Sequence, residues 1–191
     1  MKHIPNILTV LRILMVIAFI ILFIHAKYII CLILYLAAFV TDILDGYLAR
    51  RFNWISDFGK LVDPFADKFM LISALVCLCA VGAFPIYLLV LLIIKEAVLI
   101  TGGIITLKKR KVAVYADYWG KVATGLFVAS ITLSLINLAF PGLIPAPLLT
   151  ALYIAAIAIS IFSLFHYAYK AGFIGKKYRD KSAYEPSSEE K

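Results

Sequence analysis

Charge is scarce in this chain, and the scarcity sets its class. Asp, Glu, Lys and Arg make up 16% of the 191 residues against 64% hydrophobic, and the mean hydropathy is +1.00. A soluble domain of this length cannot absorb that much apolar surface, so the composition excludes the water-soluble class. Cysteine is nearly lacking too. Cys31, Cys77 and Cys79 all lie in apolar runs and read as small buried hydrophobes, and Cys77-x-Cys79 alone has no metal-site spacing. With three histidines in the chain and none paired with it, His166 reads as a packing residue rather than a ligand. No internal repeat and no soluble second domain stand out. Acidic residues are outnumbered, eleven to nineteen, for a net charge of +8. The distribution decides what that charge is for. The basic residues cluster at Lys2 and Arg12, Arg50 to Lys60, Lys108 to Lys111 and Lys170 to Lys181, with Lys27 alone in a loop of the opposite side. This is the positive-inside pattern, with attraction to anionic lipid added; nucleic acid is not the expected partner.

What the chain has in plenty is long apolar runs, each near the roughly 20 residues a bilayer crossing needs. They predict an all-α, polytopic membrane protein with six transmembrane helices, over about Ile4 to Ile24, Tyr28 to Arg51, Asp57 to Val81, Pro85 to Leu107, Asp117 to Leu138 and Leu148 to Tyr169. The first run is interrupted by Arg12 and followed by no small-x-small site, so it reads as a span and not a cleaved signal. Residues 1–171 form one membrane domain in this reading. Residues 172–191, polar and charged, form a cytoplasmic tail expected to be disordered.

Against this background one stretch stands out. Asp42-Ile-Leu-Asp45-Gly46-Tyr-Leu-Ala49-Arg50 is followed by Gly59, Asp63 and Asp67, which places four carboxylates among apolar flanks. An ionised side chain at mid-bilayer costs roughly 2.5 to 3.5 kcal/mol, so four approach about 10 kcal/mol, comparable with the stability of a whole domain. A cost of that size implies a site. Asp42 and Asp45 are three apart, and Gly59, Asp63 and Asp67 are spaced by four, so each set lies along one face of its helix. Two such helices facing each other pool four carboxylates, whose mutual repulsion is relieved by a cation. An all-oxygen donor set suits magnesium, manganese or calcium rather than zinc, and four Asp side chains suffice to bridge two divalent ions. Arg50 offers a planar, permanently charged fork for phosphate oxygens, while Gly46, Ala49 and Gly59 leave room for a ligand against the backbone. The set reads as a metal and diphosphate site.

These residues match, position for position, D-x2-D-G-x2-A-R-x8-G-x3-D-x3-D, and the chain thereby resembles the CDP-alcohol phosphotransferase family. Eight fixed residues over twenty-six positions make a selective motif. The resemblance implies a six-helix membrane enzyme, a homodimer, that moves a phosphatidyl or similar group from a CDP-linked donor to an alcohol and releases CMP. Carried over by position, it implies that Asp42, Asp45, Asp63 and Asp67 are ligands of two Mg2+ or Mn2+ ions and that Asp67 is the general base. Asp45, Gly46, Ala49 and Gly59 then resemble the nucleotide contacts and Arg50 the diphosphate contact.

Other positions take meaning beside the motif. Asn6, Thr9 and Arg12 share a face by threes; Asn6 or Thr9 can cap the helix and Arg12 can snorkel, but Pro5-Asn6-x-x-Thr9 also resembles the family's entrance near the nucleotide. Asp57 suits the positive first turn of its helix. Lys68 is either a snorkelling residue or a countercharge. Lys95-Glu96 lies at mid-depth of span four, and because adjacent helical residues do not face each other it is expected to form interhelical contacts or the wall of an acceptor cavity, not a local pair. Arg110, in the basic run, and Lys121 with Thr124, in Gly120-Lys121-x-x-Thr124, are candidates for an acceptor phosphate; Gly120 permits close helix packing. The Thr41 to Arg51 stretch with Gly120-Lys121 looks most like family members that join CDP-diacylglycerol to glycerol 3-phosphate, with phosphatidylglycerol as the competing acceptor. The expected location is a bacterial cell membrane, with the motif and both termini cytoplasmic. A cation- or proton-coupled transporter is the alternative of a different class, disfavoured because no paired, broken-helix repeat is present. A membrane prenyltransferase would carry a second, separated aspartate-rich segment.

Overall fold

The computed structural model describes the backbone of residues 4–51, 57–110 and 118–183, and side chains at 11–41, 43, 68–99, 101–102, 118–166 and 169. Every element in it is an α-helix: α1 (Ile4–Ile24), α2 (Tyr28–Arg51), α3 (Asp57–Ala80), α4 (Ile86–Arg110), α5 (Tyr118–Ala139) and α6 (Ala146–Ala183). The chain is thus all-helical among the described residues. Helix bounds fall where local chemistry puts them. At the end of α3, Gly82 takes φ +74°, the Gly82 amide donates to the Cys79 carbonyl at 3.0 Å and the Ala83 amide to the Leu78 carbonyl at 2.9 Å, closing a Schellman turn. α1 ends the same way, but on Ala26, whose φ of 53° forces a Cβ into the left-handed region. The Ala26 amide reaches the Phe23 carbonyl and the Lys27 amide the Leu22 carbonyl, each at 3.0 Å. Pro85 and Pro145 stand just before α4 and α6, and their carbonyls accept the first amides of those helices.

α1 packs against both α2 and α3, α5 packs against α2, α3 and α6, and α2 and α3 also touch each other. α4 contacts only α3 and α6 among the described residues. The core is aromatic and aliphatic. Phe19 lies near Phe23 and Tyr35, with ring centroids 5.9 and 6.3 Å away, and Tyr153 sits edge-on to Phe84 at 4.6 Å. Tyr153 is fully buried, and its hydroxyl pairs with that of Ser134 at 2.8 Å, joining α6 to α5. Cys31 and Cys77 are buried and unbridged, as expected of small hydrophobes, and Cys79 is partly buried.

The outer surface is apolar. Leu14, Ile17 and Ile21 are each about half exposed along one face of α1, while Val16, Phe19 and Phe23 are buried on the other. Such a surface facing water would be an aggregation hazard; facing lipid it has its natural solvent. Among the described residues, two stretches, Tyr118–Ala139 and Ala146–His166, are long and apolar enough to cross a membrane. The polar tail departs from expectation, because α6 continues as helix through residues 172–183. A pre-formed span removes the nucleation cost and lets the helix propagate into polar sequence; residues 184–191 lie outside the described residues.

Candidate active site on α2 and α3

Two core stripes lead to the motif. On α2 the buried positions Cys31, Tyr35 and Ala38 follow each other by four and three, and the same alternation next reaches positions 42, 45 and 49. On α3 the buried positions Met70, Ala74 and Leu78 extend backwards by three and four to positions 67 and 63. The periodicity that buries a seam in the lower parts of both helices therefore hands it over, without a change of register, to aspartates and a small residue. α2 ends at Arg51 and α3 starts at Asp57, so six residue steps, at most about 20 Å of chain, separate the motif's two helices at that end. The side chains of Asn6, Thr9, Asp42, Asp45, Gly46, Ala49, Arg50, Asp57, Gly59, Asp63, Asp67 and Arg110 lie outside the described residues; their backbone positions are helical, on α1, α2, α3 and α4.

As a donor set, four carboxylates carried on two mutually touching helices fit a hard divalent cation, which takes oxygen ligands from flexible side chains. No grouping of three His, Cys, Asp or Glu side chains suited to a metal occurs among the described residues, which do not include these four.

The remaining candidates are placed individually. Lys121 and Thr124 are both exposed on α5, and the Thr124 hydroxyl donates to the Gly120 carbonyl one turn back at 3.0 Å. Gly120 does permit close packing: a Cβ there would stand 3.3 Å from the Ser163 hydroxyl of α6. His166 packs, with its ring nearly parallel to that of Phe162 at 6.3 Å, and Phe162 in turn meets the edge of Trp119 at 5.3 Å.

Lys95 and Glu96 require a correction. Glu96 does contact an interhelical partner, Lys68 of α3, and Lys95 donates to the Ser160 hydroxyl of α6 at 2.7 Å. Yet the two neighbours also pair with each other, against the expectation from helical geometry. Their backbone directions do diverge, but the long stems lead both head groups into one pocket of low exposure, 12% for Lys95 and 13% for Glu96. Lys68 is thereby a countercharge and not simply a snorkelling residue. Ser160, itself only 4% exposed, was not legible as a functional position. The one signal was its spacing from the buried Tyr153 and Ala156, seven and four residues earlier on the same helix.

The helical architecture, the apolar outer surface and the aspartate motif carried on two touching helices point to a membrane protein. A family model described as CDP-alcohol phosphatidyltransferase matches residues 2–169, and the chain belongs to that family. A protein of Mycoplasma genitalium named CDP-diacylglycerol--glycerol-3-phosphate 3-phosphatidyltransferase is 40% identical over 101 residues, covering 53% of this chain and 42% of that protein. A Bacillus subtilis protein of the same name is 32% identical over 105 residues, 55% of this chain and 54% of its own. A probable phosphatidylglycerophosphate synthase of Mycobacterium tuberculosis is 31% identical over 166 residues, 82% of this chain and 72% of its own. The chain thus spans about half the length of the Mycoplasma and Bacillus relatives it matches.

Proposed function

We propose that the chain is a phosphatidyltransferase that joins the phosphatidyl group of CDP-diacylglycerol to glycerol 3-phosphate, giving phosphatidylglycerophosphate and CMP. The observation that carries this reading is the hand-over of two buried core stripes to the family's aspartates on touching helices, in a chain matched by the family over residues 2–169. The names of the Mycoplasma and Bacillus relatives supply the donor and acceptor, and that of the Mycobacterium relative the product.

In this reading all six helices cross a bacterial cell membrane as a homodimer, with the motif and both termini on the cytoplasmic side. Asp42, Asp45, Asp63 and Asp67 would hold two divalent cations, Mg2+ or Mn2+, which when bound supply neutralising charge for the donor's diphosphate. Asp67 accepts the proton of the acceptor hydroxyl as its oxygen attacks the phosphorus on the diacylglycerol side. The bond from that phosphorus to the bridging oxygen breaks, and CMP leaves with its phosphate held in the Arg50 fork. Gly46, Ala49 and Gly59 keep the backbone open to the nucleotide beside Asp45, with Asn6 and Thr9 at its edge. Arg110, Lys121 and Thr124 would meet an acceptor phosphate from the same membrane face. Positioning and electrostatics supply most of the rate, as in phosphoryl transfer generally.

The test is CMP release from CDP-diacylglycerol by purified protein in lipid, with glycerol 3-phosphate, phosphatidylglycerol, inositol phosphate and serine supplied separately. Release with glycerol 3-phosphate alone, abolished by a chelator and restored by Mg2+ or Mn2+, is the expected result. Release with phosphatidylglycerol instead would make the chain a cardiolipin-forming enzyme, and no release with any acceptor would return the intramembrane carboxylates to a transport role.

A further inference from the structure

A charged network of low exposure lies between α3, α4 and α6, and the proposed phosphatidyl transfer makes no use of it. Its order is Lys68 of α3, then Glu96 and Lys95 of α4, then Ser160 of α6. Glu96 Oε1 accepts a hydrogen bond from Lys95, while the buried Oε2 faces the Lys68 ammonium as an ion pair without a hydrogen bond. Three charged groups at 12%, 13% and 33% exposure are costly inside a membrane protein, where apolar residues would pack the same junction without the desolvation penalty. The network also sits where it has leverage. α4 touches only α3 and α6 among the described residues, and the network spans both contacts. On α3 its anchor is Lys68, which follows Asp67 directly and Asp63 by five residues. Beyond Lys68 the described part of α3 is held by packed core residues, Met70, Ala74, Leu75 and Leu78, so the network joins α3 one residue after Asp67 and about a turn and a half after Asp63. A rotation of α3 of about 20° at that point displaces side-chain positions by roughly 1 Å, and a misplacement of 1 Å costs on the order of 10²-fold in rate.

We propose that Glu96 is a positioning residue, which through Lys68 fixes the rotation of the α3 turn bearing Asp63 and Asp67, with Lys95 and Ser160 tying that carboxylate to α6. The inference rests on the metal and phosphatidyl-transfer reading of the motif. Residues that orient metal-binding groups from behind typically cost about 10- to 100-fold in metal affinity or activity when altered. Glu96→Gln keeps the shape and removes the charge.

The experiment measures Mn2+ binding to the full-length protein in lipid nanodiscs by electron paramagnetic resonance, with no substrate present, and CMP release in parallel. Asp63→Asn identifies the sites being titrated. Expected for Glu96→Gln is Mn2+ binding about tenfold weaker and a fall of about tenfold in kcat, with KM for CDP-diacylglycerol within about twofold. Lys68→Gln should behave alike, and the double variant no worse than the weaker single, because the two act through one contact. Glu96→Asp, a shorter carboxylate, should recover part of the affinity, and it serves in the same test should Glu96→Gln fail to insert. Mn2+ affinity within twofold of the starting protein in inserted Glu96→Gln, or multiplicative losses in the double variant, would overturn the proposal, leaving a merely structural ion cluster. If the starting protein binds no Mn2+, the proposal falls with the metal site. If it binds Mn2+ but releases no CMP, the substrate reading fails while the Mn2+ series still decides the role of Glu96.

Discussion

The hydroxyl of Tyr153 tests whether the scaffold and the site are separable. Tyr153 is fully buried, its oxygen stands 2.8 Å from Ser134 Oγ, and Ser134 is 1% exposed, so Tyr153→Phe removes one hydrogen bond and almost no volume. Interhelical hydrogen bonds in membrane proteins average about 0.6 kcal/mol and reach about 1.7, partly because a helical serine can turn back to its own i−4 carbonyl. We therefore expect Tyr153→Phe to cost about 1 kcal/mol. Tyr153→Ala adds the lost edge contact with Phe84, worth about 0.5 to 1.5 kcal/mol, and a ring-sized cavity, for a total of about 3 to 5. The assay is reversible unfolding in mixed micelles, run as a double-mutant cycle with Ser134→Ala. The pair should couple, so that Tyr153→Phe costs close to nothing once Ser134 is Ala. CMP release per folded molecule should stay within about twofold, since Phe84 lies 17 residues beyond Asp67, past the end of α3, and Tyr153 is on α6, which carries no motif residue. Tyr153→Phe costing as much as Tyr153→Ala, or equal costs of Tyr153→Phe with and without Ser134, would refute the geometry.

Three further outcomes follow. Ala26→Gly should stabilise by about 1 kcal/mol, because it relieves a Cβ held at φ 53°; a lower unfolding midpoint would show that the left-handed turn after α1 is wrongly placed. Gly120→Val should destabilise by about 1 to 3 kcal/mol, since even its Cβ would press on the Ser163 hydroxyl at 3.3 Å; a neutral result would mean that α5 and α6 are not in close contact there. Asp67→Asn should abolish CMP release while the protein still inserts, and substantial residual turnover would remove it as the base.

The motif's spacing by threes and fours names helical faces, and those positions continue the registers of the buried Tyr35, Ala38, Ala74 and Leu78, while the side chains of the motif itself lie outside the described residues. Helix bounds were legible for the same local reason: Gly82, Pro85, Pro141-Gly142 and Pro145 are breakers whose effect does not depend on distant residues. Lys95-Glu96 was visible as a cost in search of a partner, but Lys68, which pairs with Glu96, and Ser160, which pairs with Lys95, lie 28 and 65 residues away, and no local rule selects them.

The sequence by itself determined the apolar surface, the helices and the spacing of the aspartates. Apolar composition leaves too few polar residues to cover the outer surface, helical repeats follow from 3.6 residues per turn, and the four aspartates of the motif fall at helical intervals on α2 and α3. Tertiary structure alone decided which stripe of each helix is inward, that α4 is tied to its neighbours through a shared carboxylate, and that α6 continues past its apolar part. Intrahelical neighbours are set by covalent geometry, whereas interhelical neighbours are chosen by packing many side chains at once, where long stems such as those of Lys95 and Glu96 reach contacts that spacing alone forbids.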